Sequence, residues 1–486
     1  MTRPWEGASK EADFLRSALT TESPLNSVGS FLDWFQARRQ ANRFLVEQIP
    51  FAELGEWYFS EDGWRLAHRS GKFFSVEGLR VKTNYGPIAQ WDQPIILQPE
   101  IGILGIITKK FDGVSHFLMQ AKMEPGNINT LQLSPTLQAT KSNYTQVHQG
   151  KRPAYLEYFT DRGRAKVLID QLQPEQGSRF WRKRNRNMIV ETAEDPPLQE
   201  DFCWLTLGQI KQLLGRDNLV NMDARTVLAC IPLVATGEES ARGQEIELFG
   251  QRLGGFAKDV FLSMLQRRNG RHSLDEVLSW FTELKTRYFL SAERRPLNQL
   301  EDWVITDSEI KHKSGRYFSV IAVRVQAGSR EVVRWAQPLL KHFGYGLVGF
   351  LTQKIGGCLH FLVRACVEPG NRDTVEMGPT LARSGVPEGV AQRPALPFLE
   401  LFLDPPADWV RYSAIQSEEG GRFYHFQNRY LILELPEDYR LELPEDYLWL
   451  TLGQIMELTR HGYFNIEARN LLACLDLLAG QVQAGQ

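Results

Sequence analysis

GVSHFLMQAKMEPGNINTLQLSPTL, residues 113–137, returns as GCLHFLVRACVEPGNRDTVEMGPTL at residues 357–381, and this pair decides the fold. Working outward at the same offset, WDQP (91–94) recurs as WAQP (335–338) and HRSGKFFSV (68–76) as HKSGRYFSV (312–320). Residues 68–137 and 312–381 match at 28 of 70 positions without a gap. Beyond that core, Pro50 and Trp57 recur as Pro296 and Trp303, and WLTLGQI at Trp204 recurs at Trp449. An offset of 244 residues is far too long for a solenoid repeat and means two homologous modules.

The chain of 486 residues is long enough for two modules of roughly 200 residues, each able to bury a core. Hydrophobic content of 43%, charged content of 23% and a net charge of −2 exert no general pull towards nucleic acid or anionic membrane. No apolar run approaches the roughly 18 residues that span a bilayer, and MTRPWEGASKEADF lacks the apolar core of a signal peptide, so a cytoplasmic protein is expected. The five cysteines (Cys203, Cys230, Cys358, Cys366, Cys474) are far apart and support neither a zinc site nor a disulfide framework. Cys230 and Cys474, equivalents in the two copies, read as buried core thiols.

Each copy opens with a helical pattern. In SFLDWFQARRQANRFLVEQI the residues Phe31, Trp34, Phe35, Phe44 and Leu45 fall at helical spacing, and its counterpart begins at Ser273, an N-cap three residues before Glu276. Short alternating segments bounded by Gly, Pro and Asn then predict strands of a mixed or antiparallel sheet. Thr206 and Thr451 are placed to cap a closing helix in each copy. The expected fold is α+β, with residues 1–25 as an N-terminal arm, 26–235 as the first module, 236–255 as a linker and 256–486 as the second module.

Several residue types carry chemistry. EPGN at 124–127 and 368–371 is a turn with Gly126 and Gly370 expected at positive φ, and it presents Glu124 or Glu368 at a strand end. His116 and His360 read as hydrogen-bonded core histidines, and His68 and His312 as residues that orient the following Ser-Gly turn. Trp57 and Trp303 read as core or as faces for a base or sugar ring. Ser178, Arg179, Arg422 and Tyr424 offer donors suited to a diphosphate. Lys141, Asn143, Tyr144 and His148 lack equivalents in the second copy, which makes the first copy the better place to look for chemistry. No cluster has metal-ligand spacing, so no metal cofactor is expected.

In combination, HRSGKFFSV, WDQP, HFLMQAKMEPGN, QLSPTLQAT, SNYT and WLTLGQI resemble the NDP-hexose 2,3-dehydratases of deoxysugar biosynthesis, over roughly residues 30 to 480. The resemblance implies two tandem Nudix-hydrolase-like modules, a homodimer, TDP-4-keto-6-deoxyglucose as substrate, no cofactor, and a role in supplying deoxysugars for antibiotic glycosylation. It further implies a 3-ketoreductase that consumes the unstable product. The metal-binding helix signature of Nudix hydrolases is missing from both copies, which disfavours a pyrophosphatase, the alternative enzyme; a noncatalytic sugar-nucleotide-binding protein is the other alternative.

Elimination of water from a 4-keto sugar needs a base near C3, a donor at the C4 oxygen and an acid for the leaving C2 hydroxyl. Tyr144, Lys141, His148, Glu124 and Glu368 are the candidates. Glu or His suits the base, whereas Tyr144 or Lys141 suits the proton donor because both side chains ordinarily hold their proton at neutral pH. Trp57 or Trp303 is the expected platform for thymine or the hexose. Arg179, Arg383 and Arg422 are expected at the diphosphate, with Ser178, Tyr424, Thr140, Ser142 and Asn143 completing the binding set.

Overall fold

The computed structural model describes residues 9–140, 152–161, 163–234, 250, 253–268, 270–328, 332–385 and 396–478. Each module is α+β and carries two sheets. The larger sheet of the first module has seven strands, Gly102–Phe111, Val114–Met123, Leu131–Ser134, Leu137–Ala139, Lys166–Pro174, Arg184–Glu191 and Phe202–Thr206. It is mixed, because Arg184–Glu191 runs parallel to Gly102–Phe111 while the remaining neighbours are antiparallel. The second module repeats it, with Gln427–Leu435 parallel to Tyr345–Ile355.

Thr206 and Thr451 each begin a helix with a capping box, the threonine oxygen accepting from the backbone of Gln209 or Gln454 and the glutamine returning the bond. Ser273 forms the same box with Glu276. The N-terminal stretch departs from the expected arm. Lys10–Ala18 is a helix capped by Ser9, with Phe14, Leu15 and Ala18 buried. It is the counterpart of Gly255–Leu265, since Ser17 and Ser263 both donate to a strand carbonyl (Ser115, Leu359) and both accept from the first backbone N–H of the capped helix (Leu207, Leu452).

The helical pattern expected to run through Leu45 stops earlier. The helix covers Val28–Ala41, and Phe44–Ile49 is a strand. That strand leaves its own module and pairs antiparallel with Ser319–Ala327 of the second. Leu290–Arg295 makes the reverse journey onto Ser75–Thr83 of the first module, where Arg294 bonds the buried Glu77 carboxylate at 2.7 Å. The smaller sheets are therefore reciprocally exchanged, a low-cost way for duplicated units to bind each other.

The larger sheets also share one core. An apolar cluster runs from Phe14 and Phe117 through Val227 and Leu228 to Leu450 and Leu471. Two fully buried arginines cross the junction as a symmetric pair. Arg225 donates to the carbonyl of Ser417 at 2.6 Å and to Gln416, while Arg469 donates to the carbonyl of Pro174 and to Thr226. Each cation is met by a backbone carbonyl of the opposite module, which is the condition for a buried charge to be tolerated.

The EPGN turns form a second pair of contacts across the junction. Gly126 N–H donates to the carbonyl of Gly420 at 2.8 Å, and His425 N–H donates to the carbonyl of Gly126 at 2.7 Å. Gly370 repeats this with Gly177 and Arg182. Neither Gly126 nor Gly370 has positive φ, contrary to expectation. Close approach demands glycine instead: a Cβ on Gly126 would lie 1.6 Å from the carbonyl oxygen of Phe423, and one on Gly370 would lie 1.8 Å from that of Phe180.

Candidate active site

A cavity of about 260 Å³ opens beside the first EPGN turn and is built from both modules. The first module contributes Trp57, His68, Gln98, Lys122, Glu124, Gln138, Thr140, Lys183, Asn185 and Asp223; the second contributes Trp335, Gln337, Glu419, Gly421 and Arg422.

Glu124 stands where the strand Val114–Met123 ends, and the adjoining turn fixes its backbone by a bond to the carbonyl of Thr130. Its Oε1 accepts from Gln138 Nε2 at 2.8 Å and faces Lys122 Nζ at 3.6 Å. Lys122 lies on that strand two residues before Glu124, and the period-two alternation carried one residue past the strand's end puts both on one face.

The adjoining wall is the loop 419–423, which touches the EPGN turn through Gly420 and Gly126. Within the second module Trp335 N–H donates to Gln337, and Gln337 Nε2 donates to the carbonyl of Gly421, so the WAQP motif holds this loop. Trp91, Gln93 and Ser178 form the same arrangement in the first module. Arg422 lies 4.3 Å from the Phe74 ring centroid and donates to Gln98 Oε1 through Nε (3.3 Å) and Nη2 (3.2 Å). A Cβ placed on Gly421 would lie 3.3 Å from Glu419 Oε1 and 3.8 Å from Glu124 Oε1, which brings the two carboxyl groups to the same small residue.

Burial dominates the electrostatics. It pushes the Glu419 carboxyl up to about 7, with Arg422 pulling the other way, Glu175 and Glu124 adding to the rise, and Lys183 opposing it. Asp223, at the start of the helix Met222–Leu228, is driven well above the usual carboxyl range by burial and then by Glu419, Glu124 and Glu175. The Lys183 ammonium is pulled below its ordinary value by burial. The cavity thus holds acids that keep protons near neutral pH beside cations suited to an anion.

The second module has the same frame with different contents. Glu368 lies beside Gly177, whose Cβ would come 3.0 Å from its Oε2, and Arg179 lies 4.3 Å from the Phe318 ring centroid and donates to His342 at 3.3 Å. In place of Gln98 and Lys183 stand His342 and Phe426, stacked with centroids 3.6 Å apart and an interplanar angle of 8°. Cys366 replaces Lys122, Ala382 replaces Gln138, and Gln176 replaces Glu419. Aromatic rings and uncharged groups occupy the positions that are polar in the first module.

The structure therefore divides the residues singled out by sequence. Trp57, Glu124, Thr140 and Arg422 line the first cavity. Glu368, Ser178, Arg179 and Trp303 belong to the pseudo-equivalent region. Trp57 and Trp303 are both buried, donating across the exchange to the carbonyls of Ala336 and Asp92. Arg383 lies in the edge strand Leu381–Arg383, and Tyr424 stacks on His425 at 3.9 Å. Lys141, Ser142, Asn143, Tyr144 and His148 lie outside the described residues. His116 and His360 are buried, each bonded through Nδ1 to a carbonyl two residues back, and His68 and His312 each bond the serine of their Ser-Gly turn. Sequence reading passes over Lys122, Gln138, Lys183, Asp223 and Glu419. The alternation around Glu124 is the signal that identifies Lys122; Glu419 has only its divergence from Gln176.

The chain matches the family described as NDP-hexose 2,3-dehydratase over residues 28–231 and again over 274–475. Three relatives are named dTDP-4-dehydro-6-deoxy-alpha-D-glucopyranose 2,3-dehydratase. That of Saccharopolyspora spinosa is 48% identical over 476 residues, covering 97% of this chain and 96% of its own. That of Amycolatopsis orientalis is 45% identical (96% and 94% covered), and that of Streptomyces violaceoruber 44% (93% and 98%). A solved structure of an ADP compounds hydrolase aligns at 18% identity with a TM-score of 0.23, covering 38% of this chain and 97% of that one. With both modules matched in tandem, this chain belongs to the NDP-hexose 2,3-dehydratase family.

Proposed function

We infer that the chain is a sugar-nucleotide 2,3-dehydratase acting on TDP-4-keto-6-deoxyglucose, and that the first-module cavity is its reaction site. The observation that supports this most is Glu124, held by Gln138 and faced by Lys122, in a cavity that also contains Arg422 and Lys183. The two cations suit the diphosphate. Glu124 is the base in this reading.

The C4 ketone makes the C3 hydrogen acidic, because the electron pair left on C3 delocalises onto the C4 oxygen. Glu124 takes that proton, and Lys122, the cation beside the base, is the donor for the developing enolate oxygen. Return of the electron pair forms C2=C3 and expels the C2 hydroxyl with a proton as water. The resulting enol ketonises to the 3,4-diketo-2,6-dideoxy sugar. Carbonyl chemistry alone drives this sequence, so the reading includes no metal or redox cofactor.

The reading extends to a cytoplasmic homodimer and to a 3-ketoreductase that removes the reactive diketone. Among the described residues, no helix is long and apolar enough to cross a membrane. The test is incubation of chelator-treated enzyme with TDP-4-keto-6-deoxyglucose, trapping the product by chemical reduction and reading its mass. Loss of one water from the sugar is expected; unchanged substrate, or turnover that returns only with added magnesium or manganese, would reject it.

A further inference from the structure

We propose that Glu419, carried into the first-module cavity by the second module, is the acid that protonates the C2 hydroxyl as it leaves. This rests on the dehydratase reading above and assigns its missing proton donor.

The geometry points to Glu419 in three ways. First, it stands on the loop that packs against the base's own turn, with its Oε1 and that of Glu124 both within 4 Å of the point where a Cβ on Gly421 would stand. Two carboxyl groups so close together can reach adjacent carbons of one sugar ring. Second, the loop that bears it is fixed at several points: Arg422 N–H and Phe423 N–H donate to the Glu419 carbonyl at 3.2 and 2.9 Å, and Gln337 and Gly126 anchor its other residues. Third, the corresponding residue in the other half is Gln176, whose amide donates to Glu418 Oε2 at 2.8 Å and cannot deliver a proton. Glu124 and Glu368 occupy equivalent positions, so it is the loop residue brought in from the other module, Glu419 against Gln176, that distinguishes the cavity from its counterpart.

The groups that face Glu419 are Arg422, Glu175, Glu124, Lys183 and Asp223. Burial and the surrounding carboxylates outweigh the two cations, which leaves the acid protonated near neutral pH and still able to give its proton up. Asp223 also lines the cavity, but it is more deeply buried and has an acidic equivalent, Glu467, in the other half.

The protons balance over one cycle. The C3–H bond breaks towards Glu124, the C2–O bond breaks, and the Glu419 proton joins the departing hydroxyl to make water. Glu124 is then protonated and Glu419 ionised. Ketonisation restores both, as the C3 enol hydroxyl gives its proton to Glu419 and C2 takes one from Glu124.

Proton abstraction and water loss use different residues, so they can be separated. Glu419→Gln in the full-length enzyme is expected to lower the dehydration rate about 10²–10⁴-fold with little change in KM. It should still exchange the C3 hydrogen of the substrate with solvent deuterium, read by NMR. Glu419→Asp should recover part of the rate, and dehydration by wild type should fall above about pH 7. Dehydration by Glu419→Gln at the wild-type rate would overturn the proposal, as would loss of C3 exchange together with dehydration in a variant that still binds TDP. If Glu419→Gln fails to fold, a flat wild-type profile from pH 6 to 9 with full activity in Glu419→Asp would overturn it. A wild-type enzyme that neither exchanges nor dehydrates refutes instead the dehydratase reading.

Discussion

Arg422 packs on Phe74 and bonds Gln98, so its guanidinium is already oriented at the cavity wall before any anion arrives. An oriented planar cation loses little freedom on binding a diphosphate, and a lysine lacks the forked donors to replace it. Arg422→Ala should weaken TDP binding about 10- to 100-fold by calorimetry, in keeping with the ~1.5–3 kcal/mol carried by charge-assisted hydrogen bonds, and Arg422→Lys should recover only part of it. Unchanged affinity in both variants would remove Arg422 from the diphosphate site. Glu124 and Arg422 were legible because they sit in motifs that occur twice. Lys122 was harder to see, being one polar position in an alternating strand. Glu419 could not be paired with Glu124 from sequence, because nothing local records that loop 419–423 of one module closes the cavity of the other.

At the level of elements, the EPGN turns and the loops they touch bring backbone against backbone between modules. A methyl group on Gly126 has no space, since the obstructing atom is the backbone carbonyl of Phe423 rather than a flexible side chain. Gly126→Ala should cost about 1–3 kcal/mol or more in urea denaturation and reduce dehydration as well, because the same loop carries Glu419 and Arg422. A variant as stable and active as wild type would show that the contact is not needed. Helix caps at Ser273, Thr206 and Thr451 were readable because capping is local chemistry. The end of the helix at Ala41 was not. Phe44 and Leu45 continue its apolar spacing, but they are used in a strand that pairs with the other module, and periodicity carries no information about a partner 280 residues away. The helix Lys10–Ala18 was hidden similarly, its few apolar residues being enough only because a capped helix and a strand enclose them.

Over the whole molecule, duplication has produced one folded unit rather than two beads, through exchanged strands, a common core and paired buried arginines. The junction also gathers carboxyl groups. Glu376 is buried near Glu368 and pushed up to about 8 by burial first and that neighbour second, despite Arg469 and Arg184. An acid whose value is raised on folding keeps its proton in the native state while the unfolded chain loses it. Its contribution is complete below the ordinary carboxyl value of 4.5 and disappears as pH rises to about 8. Glu376→Gln should therefore gain stability relative to wild type between pH 5.5 and 8.5, by at most about 1.4 kcal/mol per unit, as read from urea midpoints. A difference independent of pH would show that Glu376 titrates normally.

Both halves keep an EPGN glutamate, but Glu124 shares its cavity with Glu419 from the other module, whereas Glu368 has Gln176 at the position equivalent to Glu419. The most direct measurement of that asymmetry compares trapped-product formation by Glu124→Gln and Glu368→Gln, two isosteric changes at equivalent positions, in protein verified as folded. Loss of at least 10²-fold in Glu124→Gln with near wild-type turnover in Glu368→Gln is predicted. Full activity in Glu124→Gln, with the loss falling on Glu368→Gln, would contradict the assignment and move the chemistry to the second module.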